Sequence, residues 1–146
     1  MYKRLYILTL FTTFILSAPI SLSIANKVSN NVFDQFSLDK RFSYSVKNIE
    51  VINENDIDLI YIYHLNPNGY ILVAADDRSE PYLGYSFNSN FNTSNMPESF
   101  YSMFNNLKQM ILKPILNKDI QTNSVKNLWD TYKSENFRSS EVRNVS

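Results

Sequence analysis

Among side chains that perform chemistry, this 146-residue chain offers a single histidine, His64, no cysteine, and 14 aspartates and glutamates. Without a thiol there is no cysteine nucleophile, no Cys-ligated zinc and no iron–sulfur cluster. A serine–histidine pair would have to recruit His64, which sits between Tyr63 and Leu65 with no partner at a diagnostic spacing, so it reads as a structural or surface histidine. The stretch Asp76-Asp77-Arg78-Ser79-Glu80 has carboxylates for a hard cation but lacks the ordered spacing of a calcium loop. A solvated turn held by Asp side chains and Arg78 accounts for it better. No carboxylate pair for glycoside hydrolysis stands out. With Gly69 and Gly84 as the only glycines, there is no material for a phosphate-cradling loop. The catalytic and metal-binding inventory is nearly empty, which points to binding by a chain that is not an enzyme and takes no cofactor.

The elements around these residues organise themselves about residues 58–86. Two runs rich in β-branched and aromatic residues, 59–65 and 70–75, flank Asn66-Pro67-Asn68-Gly69, where proline presets φ and glycine tolerates a positive one. That predicts a hairpin. A third strand is expected over 82–87, with Gly84 marking a close backbone approach. Leu59, Tyr61, Tyr63 and Leu65 on one face and Ile60 and Ile62 on the other make 59–65 a central strand with cover on both sides. Over 26–38, Val28, Val32, Phe33 and Phe36 share one helical face, ended by Asp39-Lys40-Arg41. Residues 43–52 alternate weakly through Tyr44, Val46, Ile49 and Val51 and predict an extra strand, with a polar turn over 53–58. Asn95-Met96-Pro97-Glu98 reads as a helix start, with Asn as cap and proline in the first turn. The stripe Phe100, Met103, Phe104, Leu107, Met110, Ile111 then gives the strongest helical signal, which Pro114 should end or kink. The expected class is α+β: a small antiparallel sheet of three to four strands flanked by an N-terminal helix and a long C-terminal helix.

Lys3 and Arg4, the apolar run 5–16 and the small residues Ser23 and Ala25 read as a cleaved signal peptide over 1–25, followed by a domain over 26–117 and a tail over 118–146. Leu128, Trp129 and Tyr132 form one amphipathic turn in that tail, and 139–146 reads as a frayed end. Read instead as an uncleaved anchor, 5–25 is just long enough to cross a bilayer when tilted. Removing 1–25 leaves 12 basic against 14 acidic residues, a net charge of −2. Such a chain has no electrostatic handle on nucleic acid or on anionic membrane. The expected location is secreted or periplasmic.

From Ile62-Tyr63 through Asn68-Gly69-Tyr70-Ile71-Leu72-Val73-Ala74-Ala75-Asp76-Asp77-Arg78, then Leu83-Gly84-Tyr85-Ser86, Phe91 and Met96-Pro97-Glu98, the chain resembles the propeptide of streptopain-like secreted cysteine peptidases. That domain also occurs alone as the Spi-type protease inhibitor. The resemblance implies a sheet flanked by helices that seats on a cysteine peptidase of the streptopain type, with the loop before the long helix reaching into the substrate cleft. Here that loop runs over 92–100, and the contacts expected from it are Asn92, Asn95, Met96, Pro97, Glu98 and Ser99. Ser99 stands where the family often has an asparagine that fills a subsite. Its shorter hydroxyl fills less volume, which leaves Asn95 or Met96 to act as the plug. Tyr82, Tyr85 and Phe87 are expected to add apolar contact area.

Three functions follow from these readings. The chain is a free-standing exported inhibitor that protects its producer, or a propeptide remnant that acts as a folding chaperone in trans, or a non-inhibitory exported binding module with no peptidase partner.

Overall fold

In a computed structural model, residues 18–37 and 43–137 are described. Their order is α1 (Leu22–Phe36), β1 (Val46–Glu54), β2 (Ile57–Leu65), β3 (Tyr70–Ala74), β4 (Tyr82–Ser86), α2 (Glu98–Asn117) and α3 (Asn123–Tyr132). The strands form one antiparallel sheet in the order β1-β2-β3-β4, so each pairs with its neighbour in sequence. Helices α1 and α3 cover one face and α2 covers the other, giving the α+β architecture expected. No helix among the described residues is long and apolar enough to cross a membrane. The helix stop at Asp39-Lys40-Arg41 and the frayed end over 139–146 lie outside the described residues.

The two apolar faces of β2 explain why it is central. Tyr61, Tyr63 and Leu65 join Ile71 and Val73 against α1, while Ile60 and Ile62 join Leu72 against Phe104, Ile111 and Leu112 of α2; Leu59, expected with the tyrosines, packs in the α2 cluster instead, beside a register shift in the β1–β2 pairing. α1 turns inward through Ala25, Val28, Val32 and Phe33, one stripe at helical spacing. Burying side chains such as Val32 and Phe33 stabilises the fold by about 1.5–3 kcal/mol each. The helix starts at Leu22, earlier than expected, because the Ser21 hydroxyl accepts from Ile24 N–H and caps it. Residue 25, the expected signal boundary, therefore lies inside α1.

Several local expectations are corrected. Gly84 is not where backbones crowd: a Cβ there would meet Leu72 Cδ1 at 3.9 Å, an ordinary contact. The crowding is at Gly69, with φ at +120° and a hypothetical Cβ 2.7 Å from Ser86 O. β4 carries a bulge at Leu83, since Gly84 pairs with Leu72 and Tyr82 with Val73. In β1, Ile49 and Val51 are 37% and 39% exposed, because α1 does not reach this edge strand. β1 and β2 turn through Asn55 and Asp56, both at positive φ, as in the tight hairpin turns whose twist matches that of the strands. Pro97, not Asn95, occupies the N-cap of α2, and no side chain bonds to that cap. Pro114 does not end α2, which runs to Asn117 and closes on Lys118 in the left-handed region. The backbone bond that Pro114 lacks is to the carbonyl of Met110, on the helix flank where the Met110 side chain is 68% exposed and water can reach.

The tail expected over 118–146 holds α3, whose Thr122 hydroxyl caps it by accepting from Val125 N–H. Trp129 and Tyr132 are buried in the α1 core, and Asn31 Nδ2 donates to Tyr132 O at 2.7 Å. The acidic turn positions α3: Arg78 Nε donates to Asp119 O, Gln121 Nε2 to Asp77 O, and Trp129 Nε1 to Ser79 O at 2.8 Å. Asp76 is buried rather than solvated, and accepts from Arg78 N–H and Nη1 at 3.0 and 2.8 Å. Burial raises its pKa even so, the Arg78 bonds opposing the shift. The turn is structural, and no group of three or more metal-ligating side chains exists among the described residues.

Candidate functional site

The segment between β4 and α2 passes around the end of the sheet and is fastened at four places. Gly69 N–H donates to Asn90 Oδ1 at 3.3 Å, and Asn90 Nδ2 donates to Asn68 Oδ1 at 3.4 Å, binding the segment to the β2–β3 turn. Phe91 is buried, its ring 4.9 Å from that of Tyr70 and 5.3 Å from that of Phe104. Thr93 Oγ1 donates to Glu50 Oε1 at 2.7 Å, while His64 Nε2 lies 3.2 Å from Glu50 Oε2. Met96 is half-buried and packs on the α2 core. Between these fixed points Ser94 N–H donates to Asn92 Oδ1 at 3.0 Å, an Asx turn that shapes the bend. Pro97 O then accepts from Tyr101 N–H at 2.8 Å, which starts α2, and Glu98 sits in its first turn at the positive end of the dipole.

The side chains left facing outward are Asn92, Ser94, Asn95, Pro97, Glu98 and Ser99. Every residue expected at this loop is therefore exposed except Met96, which is turned partly into the core. Asn95 is the expected plug that is free to enter another surface. The chemistry on offer is amide and hydroxyl hydrogen bonding around a proline, with one carboxylate at Glu98.

Tyr82, Tyr85 and Phe87 lie on the opposite face of the sheet, with α1. The Tyr85 ring stacks on Phe36 at 4.6 Å and on Phe87 at 5.1 Å, and Tyr82 is 5.0 Å from Tyr132. The bulge at Leu83 puts Tyr82 and Tyr85, three residues apart, on the same side. The structure thus brings the loop residues together and separates them from these aromatics, which complete the α1 and α3 packing. Burial raises the Tyr85 phenol above its ordinary value, although its side chain still reaches solvent.

Glu50, His64, Thr93 and Asn90 were not among the residues expected at the site. Glu50 and His64 come from adjacent strands on the α2 face, just beyond its apolar patch of Ile52, Ile60 and Ile62. This polar end of an otherwise greasy face is where the loop lies. The one hint in the sequence is that a central strand carries a histidine at its end.

Together these features define a small α+β domain that presents a fastened, outward-facing loop at one end of its sheet, the design of a protein that acts by contact. The family model for the Spi protease inhibitor matches residues 17–111, and the chain belongs to that family. No curated protein and no solved structure matches it. Membership supports a protease inhibitor role and a protease as partner.

Proposed function

We propose that this protein is an exported inhibitor of a streptopain-like cysteine peptidase, secreted or periplasmic, that seats the loop over 92–99 in the substrate cleft with Asn95 at its tip. The observation that carries the reading is the alternation along the loop: Phe91, Thr93 and Met96 are held while Asn92, Ser94, Asn95, Pro97, Glu98 and Ser99 are presented. A loop fixed in this way loses little conformational freedom on binding, so more of its contact energy appears as affinity. It also resists cleavage, because a peptidase needs its substrate extended and both roots of this bend are fixed. The resemblance of the 62–98 motifs to streptopain propeptides supports the peptidase type. No side chain of the inhibitor makes or breaks a bond in this mechanism; it obstructs.

The experiment is an alanine graft across Asn95, Met96, Pro97, Glu98 and Ser99, assayed against a streptopain-type cysteine peptidase and, for contrast, a trypsin-like serine peptidase. The graft should weaken inhibition of the cysteine peptidase by at least about 30-fold, the scale of an interface hot spot, with the melting transition kept. Unchanged inhibition with an intact fold rejects the loop. Inhibition of the serine enzyme alone rejects the peptidase type.

A further inference from the structure

The first described residues are built into the fold. Pro19 forms an antiparallel bridge with Asp76, Ile20 N–H donates to Ala75 O at 2.8 Å, and the Tyr61 hydroxyl donates to Ile20 O at 2.8 Å. Ile20 is buried, Ser21 caps α1, and Ala25 is wholly enclosed. A cut after Ala25 would strip the Tyr61 hydroxyl of its acceptor in the core and leave α1 without its cap and first turn. The fold therefore needs 18–25 to survive maturation.

One residue further back, Ala18 N–H donates to Asp77 Oδ1 at 3.1 Å, and Asp77 N–H returns a bond to Ala18 O at 3.4 Å. A carboxylate thus faces the backbone nitrogen of Ala18. A positive charge on the Ala18 nitrogen would meet a carboxylate already in place, and the bond would become charge-assisted.

We propose that a leader peptidase cuts between Ser17 and Ala18, and that the new α-ammonium group of Ala18 pairs with Asp77. Water supplies a hydroxyl to the Ser17 carbonyl carbon, which leaves with the leader as a carboxylate, and the Ala18 nitrogen departs as the protonated amine. The apolar run 5–16 ends beside this bond, Ser17 places a small residue just before the cut, and Pro19 falls second after it rather than first, where it would obstruct cleavage. The family match also covers 18–25, which a cut after Ala25 would discard. The proposal rests on reading 1–17 as an export leader and is independent of which peptidase the loop engages.

The test is expression of the full chain in an exporting bacterial host, with amino-terminal sequencing and intact mass of the exported protein. A start at Ala18 is expected; a start at Asn26, or an uncut chain, overturns the proposal. The ammonium pair is tested separately by Asp77→Asn. It should lower the melting temperature of the processed protein by a few degrees and have a clearly smaller effect when the α-amino group is acetylated. Equal effects on both forms overturn the pairing.

Discussion

On the face covered by α1 and α3, buried polar groups reach across from one element to another. Tyr61 bonds to Ile20 O, Tyr63 to Asn26 Oδ1, Tyr132 to Gln35 Oε1, and Asn31 to the end of α3. On the α2 face the middle is Ile, Leu and Phe packed without such ties, and the outer flank of the helix shows Tyr101, Met103 and Met110 to solvent. Among the described residues, polar fastening returns there at the margins, where Lys108 meets Glu54 and Thr93 meets Glu50. The difference teaches that one face fixes the orientation of its helices largely through buried directional bonds, while the other seats its helix on apolar contact and keeps its polar ties for the rim and the loop. The first sustains the scaffold and the second presents it.

The largest effect expected from this contrast is on stability. Tyr132→Ala removes a ring with no solvent exposure and should cost about 3–5 kcal/mol in urea unfolding, whereas Met103→Ala, 54% exposed, should stay within about 0.5 kcal/mol. Equal losses would break the comparison. Next, Gly69→Ala puts a Cβ against Ser86 O at positive φ and should cost roughly 1–3 kcal/mol, with weaker inhibition, because the same glycine holds Asn90 at the loop root. An unchanged melting curve would show that the turn yields freely. Glu50→Ala should lower stability by no more than about 1 kcal/mol, since one part-buried hydrogen-bond network is lost. Inhibition should nonetheless weaken several-fold, with Glu50→Gln recovering most of it by keeping an acceptor for Thr93. A proportional loss of both would make Glu50 part of the scaffold and not of the loop.

The smallest effect is electrostatic. Hydrogen bonds from Lys126 and Lys133 hold the Asp130 carboxyl below its ordinary value, so its contribution is present above the unfolded value near about 4 and is lost as pH falls through the depressed folded one. The pair is exposed and screened, so Asp130→Asn should flatten the acid limb of a melting-temperature profile by only a few tenths of a kcal/mol, roughly the worth of a surface ion pair. Asp76 has the opposite sign: burial raises its pKa, so stability falls as pH rises from the unfolded toward the folded value. A profile of Asp130→Asn that is steeper in acid than the parent would contradict the assignment.

Much of the scaffold was legible because its signals are local. The apolar, β-branched and aromatic run over 59–65 and the turn at Asn66-Pro67-Asn68-Gly69 gave the inner strands, and the stripe from Phe100 to Ile111 gave α2. The start of α2 was legible to within a few residues in Asn95-Met96-Pro97-Glu98. What stayed hidden depends on partners far apart in the chain. Thr93 meets Glu50 across 43 residues and Ile20 meets Tyr61 across 41, and neither spacing leaves a trace in a periodicity. Tyr82, Tyr85 and Phe87 were expected to add apolar contact area. The folded chain brings Phe33, Phe36 and Tyr132 against them, which half-buries Tyr82 and Phe87 and leaves Tyr85 38% exposed. The bulge at Leu83 and the uncovered edge at β1 leave no local signal in the sequence.

The order β1-β2-β3-β4 is a meander with no crossover, and every strand finds its partner within a short stretch of chain. Topologies of this kind close small loops first and assemble quickly. The long-range junction is the one between α1 and α3, where Asn31 and Tyr132 are 101 residues apart. Folding should therefore raise the sheet early and clasp α1 to α3 last.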